Sequence, residues 1–228
     1  ESTPEGIVAS GGNLSPGMLI SAYSQGIFPW YTEGEPILWW SPDPRFILRF
    51  DDLHVSKSLK KVLKREFFSV TLDSDFEAVI GACRSVPRRG QTGTWITDEM
   101  TEGYLRLHEL GYAHSVEVWT KGRLAGGLYG VSLGANFFGE SMFSWVSDAS
   151  KTALVYLITQ LRTVGFDCLD SQVYTAHLQR MGAGEISRKE YMRILERRLE
   201  RVTIRGNWGE KFPDMKTSNI LALNFATQ

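Results

Sequence analysis

Glu140 is the only charged residue between Leu124 and Ser147. A carboxylate in so apolar a run lies at an edge or is buried beside a cation or a polar network, because an unpartnered buried charge is costly. A structural network and a cationic ligand are both open readings. The stretch Phe166-Asp-Cys-Leu-Asp-Ser-Gln-Val173 carries a second pair. Side chains alternate along a strand, so Asp170 and Gln172 are expected to point the same way, roughly 7 Å apart. A wet edge strand would carry the same two residues. Both polar groups also fall at the strand's end, where sites often sit.

Trp30, Trp39, Trp40 and Trp95 come from a chain rich in tryptophan, which has seven in all. A buried tryptophan is ordinarily core. However, Trp30 sits between Pro29 and a polar turn, and Trp95 follows Arg88-Arg-Gly-Gln-Thr-Gly93, which cannot make a core. Aromatic rings beside basic residues are what stacking of a nucleobase requires. Lys57, Lys60, Lys61 and Lys64 stand at i, i+3, i+4 and i+7 and share one helix face, with Arg65 following. That face is either solvated or a strip for phosphates. The later basic residues Arg188, Lys189, Arg193, Arg197, Arg198 and Arg201 are interleaved with Glu190, Glu196 and Glu200, which favours a solvated helix.

Other chemistries lack their residues. Gly139-Glu-Ser141-Met-Phe143 misses the last glycine of a nucleophile elbow, and His108-Glu109 lacks the second histidine of a zinc helix. There is no Cys-x-x-Cys, so no metal is expected, and no other cofactor. Gln179-Arg-Met-Gly182-Ala-Gly184 fits the loose pyrophosphate signature of acetyl-coenzyme A transferases, a pattern that chance often produces.

The elements that must position these residues follow from local signals. Pro16 and Gly26 bracket a short helix at Gly17–Gln25 behind the cap Ser15. Four prolines from Pro29 to Pro44 forbid a long helix there, so the segment reads as an aromatic linker or small lobe. Strands are expected at Arg45–Arg49 and Phe67–Leu72, and helices from Ser56 to about Arg65 and over Asp75–Cys83. A basic loop, Arg84–Gly93, precedes a helix from Thr97 to Gly111. Ala113–Trp119 and Arg123–Leu133 read as a hairpin about Thr120-Lys-Gly122, followed by a strand at Phe137–Phe143. A helix runs to Val164, then a strand at Phe166–Val173 and a helix at Ser187–Val202. This order predicts an α+β fold with a mixed, mostly antiparallel sheet, divided into a lobe at 1–44 and a larger domain at 45–228.

Composition sets the frame. The 228 residues are 43% hydrophobic and 22% charged, which excludes a disordered, collagen-like or coiled-coil chain. A net charge of −1 gives no global field for nucleic acid, so local patches must carry it. Cys83 and Cys168 read as free thiols in a reducing compartment. No signal peptide is read at Glu1–Gly12, and no segment is long and apolar enough to span a membrane. The expectation is a cytoplasmic protein.

Eight runs then carry a resemblance. They are Gly11-Gly-Asn-Leu-Ser-Pro16, Gly26-Ile-Phe-Pro-Trp30, Ile37-Leu-Trp-Trp-Ser-Pro-Asp-Pro-Arg45, Gly93-Thr-Trp-Ile-Thr97, Leu107-His-Glu-Leu-Gly111, His114-Ser-Val-Glu-Val-Trp119, Gly139-Glu-Ser-Met-Phe-Ser144 and Ala149-Ser-Lys-Thr-Ala-Leu154. From about Gly11 to Tyr191 the chain resembles the bacterial leucyl/phenylalanyl-tRNA–protein transferases. The stretch after Arg198 carries no resemblance.

That resemblance implies a small N-terminal domain on a domain of the GCN5-related acetyltransferase (GNAT-like) fold. It implies transfer of Leu, Phe or less readily Met from aminoacyl-tRNA to proteins beginning with Arg or Lys, which marks them for degradation. The terminal adenosine would sit between Trp30 and Trp95. The donor side chain would enter a pocket of Leu128, Phe137, Met142, Leu154, Leu157 and Leu169. Of these, Leu128 and Leu157 replace a methionine and an aromatic residue of the family. Glu140 would bind the acceptor, Asp170 and Gln172 would activate its amine, and Lys57, Lys60, Lys61, Lys64 and Arg65 would meet the acceptor stem. Thr175 stands where the family has asparagine. The ester is already activated, so no ATP is expected. A rival account gives the proton transfer to the ribose hydroxyl beside the ester and leaves Asp170 to hold the amine. The expected partners are Leu-tRNA, Phe-tRNA and the acceptor protein, met by a monomer. Competing readings are an acetyl-coenzyme A acyltransferase on the same fold, a non-catalytic tRNA-binding module, and a peptidoglycan-type aminoacyl transferase.

Overall fold

A computed structural model describes residues 6–86 and 96–224. Among the described residues the elements run as follows. The first stretch forms β1 (Ile7–Ser10), α1 (Pro16–Ser24), β2 (Phe28–Pro29) and β3 (Leu38–Trp40). Then come β4 (Arg45–Arg49), α2 (Lys57–Lys64), β5 (Ser69–Leu72), α3 (Phe76–Ser85) and α4 (Asp98–Glu109). The central part is β6 (Ala113–Thr120), β7 (Arg123–Leu133), β8 (Asn136–Ser144), α5 (Ala149–Thr163) and β9 (Cys168–Asp170). The chain closes with α6 (Ala176–Arg180), β10 (Gly184–Ile186), α7 (Arg188–Leu199), α8 (Trp208–Lys211) and α9 (Thr217–Asn224).

Capping chemistry explains most of the helix starts. Ser56, Asp75, Thr97, Thr175 and Ser187 each accept a hydrogen bond from the backbone N–H three residues on. Ser15 occupies the expected position before α1, but its side chain makes no cap bond. At the β6–β7 turn, Lys121 and Gly122 both have positive φ, as a two-residue primed turn demands.

Two sheets result, a three-stranded one ordered β1-β3-β2 and a seven-stranded one ordered β10-β4-β9-β8-β7-β6-β5. Every pair is antiparallel except β8–β9, which meet at Phe137↔Leu169 and Phe138↔Asp170. A parallel pair needs a crossover, and α5 supplies it. The fold is thus mixed α+β with a mostly antiparallel sheet.

The large sheet has a core on each face. One gathers Val116, Val118, Leu128, Phe137 and Leu169 with Leu59, Leu63, the apolar side of α5, Trp208 and Ile220. The other gathers Tyr129, Val131 and Phe138 with Met100, Tyr104 and the N-terminal residues Leu14, Leu19, Tyr23, Phe28 and Trp39. The proline-broken segment, for which the sequence left a linker or a small lobe open, forms β2 and β3 and contributes to this core. The stretch after Arg198, silent in the sequence, forms two helices and buries Trp208 completely.

Two local departures matter for the site. First, β9 stops at Asp170, short of the expected Val173, because Ser171 and Gln172 leave the strand and Gln172 adopts φ 61°. Second, the β7–β8 ladder slips: Tyr129 pairs with Ser141 and Gly130 with Gly139, so Glu140 is the extra residue of a β-bulge.

The loose pyrophosphate signature is also placed. Gly182 caps α6 at φ 102°, with Gly182 N–H donating to the Gln179 carbonyl and Ala183 N–H to that of Leu178. A Cβ at Gly182 would fall against the Asp52 carbonyl oxygen. This glycine serves a helix end packed on a neighbouring turn, and backbone contacts account for it fully. Gly182→Ala is expected to lower stability by about 2–4 kcal/mol through steric overlap and positive-φ strain. Urea unfolding of the purified variant checks this.

Candidate active site

The site begins with a buried ion pair. Arg45, the first residue of β4, and Asp170, the last of β9, both have essentially no exposure. Arg45 Nε donates to Asp170 Oδ1 at 2.9 Å, and Nη2 donates to Oδ2 at 2.7 Å. This is the two-pronged geometry of a strong guanidinium–carboxylate pair. Arg45 Nη1 also donates to the Gly26 carbonyl at 3.0 Å, and its guanidinium lies over the rings of Tyr191 and Phe28. Tyr191 of α7 donates to Asp170 Oδ2 at 2.6 Å, and the Gln172 backbone N–H donates to Oδ1 at 3.0 Å. A carboxylate offers about four acceptor positions. Four protein donors fill those of Asp170.

Strand alternation does not describe how Asp170 and Gln172 meet. Gln172 sits in the left-handed region, so its backbone rather than its side chain contacts Asp170. Few non-glycine residues adopt that conformation, and it recurs at functional sites. Its side chain is freed to turn the other way, and Gln172 Nε2 donates to Glu140 Oε1 at 2.9 Å.

Glu140 is partly buried on the bulge. Its Oε2 accepts from the Tyr104 hydroxyl at 2.7 Å, and the Tyr104 and Tyr23 hydroxyls share a hydrogen bond at 2.6 Å. Burial pushes the Glu140 carboxyl up to about 7, against the Tyr104 and Tyr23 hydroxyls, which favour its charged form. The same burial, reinforced by the Glu140 charge, raises both phenols well above their usual range. One polar chain therefore runs Arg45, Asp170, Gln172, Glu140, Tyr104, Tyr23. At its centre is a carboxylate that titrates near neutrality.

The six expected pocket residues fall in one region. Leu128, Phe137, Leu154, Leu157 and Leu169 share the core cluster of one sheet face, and Met142 packs against it. Trp30 is partly buried, with its ring 5.5 Å from that of Trp40, and Trp40 Nε1 donates to the Trp30 carbonyl. Trp95 and the greater part of the Arg84–Gly93 loop lie outside the described residues. Tyr31, beside Trp30, shares a hydrogen bond with Thr97, the cap of α4, at 3.1 Å. On α2, Lys57, Lys61, Lys64 and Arg65 are exposed, and Lys60 is partly so. Leu59 and Leu63 anchor that helix, and Thr217 of α9 donates to the Leu63 carbonyl. Thr175 caps α6, a position that asparagine fills equally well.

Sequence reading missed Arg45, Tyr23, Tyr104 and Tyr191. Arg45 had one signal, since alternation puts it on the same face of β4 as buried Ile47. Tyr104 lies between Met100 and Leu107 on the buried stripe of α4, where it reads as core. Among the described residues, no group of three or more His, Cys, Asp or Glu could hold a metal ion.

Comparison with known proteins gives consistent matches. The family described as leucyl/phenylalanyl-tRNA protein transferase matches residues 47–196, and its N-terminal domain family matches 12–43. The chain is 55% identical over 204 residues to the leucyl/phenylalanyl-tRNA–protein transferase of Syntrophus aciditrophicus, covering 90% of this chain and 85% of that one. The protein of the same name from Myxococcus xanthus is 55% identical over 205 residues, with 90% and 88% coverage. That from Flavobacterium johnsoniae is 53% identical over 196 residues, with 86% and 92% coverage.

Two outcomes follow from the geometry. Arg45→Met removes the cation that pairs with buried Asp170, and is expected to cost about 3–5 kcal/mol in urea unfolding. Adding Asp170→Asn should recover most of that loss. For Glu140, the folded carboxyl titrates at about 7 against an ordinary 4.5, so the folded state binds the extra proton. The contribution of Glu140 to stability is therefore present below about 4.5 and lost as pH rises to about 7. Glu140→Gln should abolish that slope, so the stability gap between variant and parent widens across the window.

Proposed function

The chain belongs to the leucyl/phenylalanyl-tRNA–protein transferase family and is a transferase; from that premise we propose that it moves Leu, Phe and less readily Met from tRNA onto the N-terminal amine of proteins beginning with Arg or Lys. The observation that carries this reading is the bridge of Gln172 between Asp170 and Glu140. It presents an amide and a carboxylate together beside the pocket-bearing strands β8 and β9.

In this reading the donor is an ester, so its free energy of hydrolysis drives the reaction without ATP. The acceptor α-amine, with an ordinary pKa of about 8, sheds one proton and attacks the ester carbonyl. The carbon–nitrogen bond forms, the carbon–oxygen bond to the ribose breaks, and the second proton lost by nitrogen passes to the departing ribose oxygen, which leaves as a hydroxyl. Asp170 was expected to deprotonate the amine. Its acceptor positions are filled by Arg45, Tyr191 and the Gln172 backbone. We therefore assign it the positioning of Gln172 and give the proton relay to the ribose hydroxyl beside the ester. With Nε2 of Gln172 committed to Glu140, its amide oxygen is left to accept from the attacking amine. Glu140 draws in the cationic acceptor. Catalysis is then mostly positioning, which can contribute roughly 7–11 kcal/mol.

Trp30 and Trp95 would stack the terminal adenosine. Leu128, Phe137, Met142, Leu154, Leu157 and Leu169 would receive the donor side chain, and Lys57, Lys60, Lys61, Lys64 and Arg65 the acceptor stem. The finer fold assignment, a GNAT-like domain at 45–228 behind a small domain at 1–44, belongs to the same reading. Its support is the parallel β8–β9 pair, which ends at Phe138 and Asp170 while β8 continues paired with β7 alone. We place the enzyme in the cytoplasm as a monomer, with acceptor proteins marked for degradation. Among the described residues no helix is long and apolar enough to cross a membrane.

The deciding experiment supplies radiolabelled Leu-tRNA, Phe-tRNA or acetyl-coenzyme A with a peptide beginning with Arg, in the absence of ATP. Label should reach the peptide from the two tRNAs only. Acetylation would overturn the reading, and tRNA binding without transfer would leave a binding module. In the same assay, Trp30→Ala should raise the KM for aminoacyl-tRNA about 5- to 150-fold, the loss of one stacked base. Glu140→Gln should raise the KM of the acceptor and leave that of the donor unchanged.

A further inference from the structure

The stretch beyond Arg198 has no part in the reading above, yet it places Trp208 against the wall of the proposed donor pocket. The Phe137 ring is held on two sides. Beneath it lies Gly130, where an added Cβ would sit 2.6 and 2.7 Å from two ring carbons, so the ring rests directly on the neighbouring strand. Beside it lies Trp208, with ring centroids 5.8 Å apart and planes at 40°.

Trp208 is itself immobilised. It is wholly buried, its indole is stacked on His114 at 3.7 Å and 8°, and Phe212 meets it edge-on at 5.3 Å. Its Nε1 donates to the Ile204 carbonyl at 2.9 Å. One carboxylate then locks the whole stack: Asp73 Oδ2 accepts from Trp208 N–H at 2.8 Å and pairs with His114 Nδ1 at 2.8 Å. Asp73 Oδ1 accepts from Ser115 N–H, which fixes the start of β6 against the same group. Phe137 therefore has no room to retreat.

We propose that Trp208 is a specificity-determining positioning residue, which fixes the depth of the donor pocket by holding Phe137 in place. The proposal rests on the reading that the donor side chain sits against Phe137. Apolar pockets separate side chains differing by one methylene by only about 10- to 200-fold. A wall that shifts by one carbon's width changes such a ratio. With the indole removed, the Phe137 ring swings toward the vacated space, the pocket deepens, and Phe gains over Leu.

The test compares full-length Trp208→Phe and Trp208→Leu with the parent, measuring kcat/KM for Leu-tRNA and Phe-tRNA with one Arg-peptide. The Phe-to-Leu ratio should rise about tenfold in Trp208→Leu and about threefold in Trp208→Phe. In a Phe137→Leu background, Trp208→Leu should change the ratio less than twofold, because the wall it supports is gone. Thermal melts establish that each variant is folded, and if Trp208→Leu is not, Trp208→Phe decides. A parent that uses both donors, with variants that slow both equally, overturns this proposal alone. A parent that uses neither donor overturns the functional reading, and this proposal with it.

Discussion

The buried pair of Arg45 and Asp170 is the constraint on which the site depends. Neither charge is tolerable alone in an interior that excludes water. Each therefore fixes the backbone that carries it. Arg45 begins β4 and Asp170 ends β9, so the pair pins the two neighbouring strands at one end of their ladder. Its other partners draw in Gly26 after α1 and Tyr191 on α7. Elements separated by nearly the whole chain thus converge on one carboxylate. That convergence holds Gln172 in a backbone conformation it would not adopt in isolation.

The bulge at Glu140 is the second device. An undisturbed strand would put Glu140 and Met142 on the same face, since both are even-numbered. The extra residue breaks that parity. Glu140 stays on the face of Phe138 and reaches Tyr104, while Met142 joins Leu128 on the other face. Glu140 and the apolar cluster that includes Met142 are therefore supplied by one strand but kept on opposite sides of it. The ladder between β8 and β9 ends at Phe138 and Asp170, two residues before the bulge. Electrostatics follow the geometry: Asp170 faces a guanidinium, whereas Glu140 faces phenols and an amide and is held near neutrality by burial. The two acids thus sit in different surroundings, one paired with a cation and the other not.

A chain that transfers an already activated acyl group needs little acid–base power and much alignment. The arrangement suits that division, because Asp170, Gln172 and Glu140 are held by partners in the protein. Support extends well behind the site. Trp208 backs Phe137, and α9 braces the basic helix α2. The C-terminal stretch is thus part of the apparatus that sets geometry.

Much of this was legible from residue types alone. Caps and turn residues set the starts of α2, α3, α4 and α7 and the β6–β7 hairpin, because those preferences act over three or four residues and need no tertiary partner. The isolation of Glu140 in an apolar run and the single-faced lysines of α2 were visible for the same reason. Other features were not. Arg45 looked like one more charge at the edge of a strand, and Tyr104 like core, until the fold brought Asp170 and Glu140 to them. The bulge and the positive φ of Gln172 depend on how β7, β8 and β9 register against one another. The packing of Trp208 against Phe137 depends on a stack closed by Asp73, far away in the sequence. Local chemistry is written in neighbouring residues, whereas pairing of buried charges, strand register and the backing of a pocket wall are decided by groups that meet only when the chain has folded.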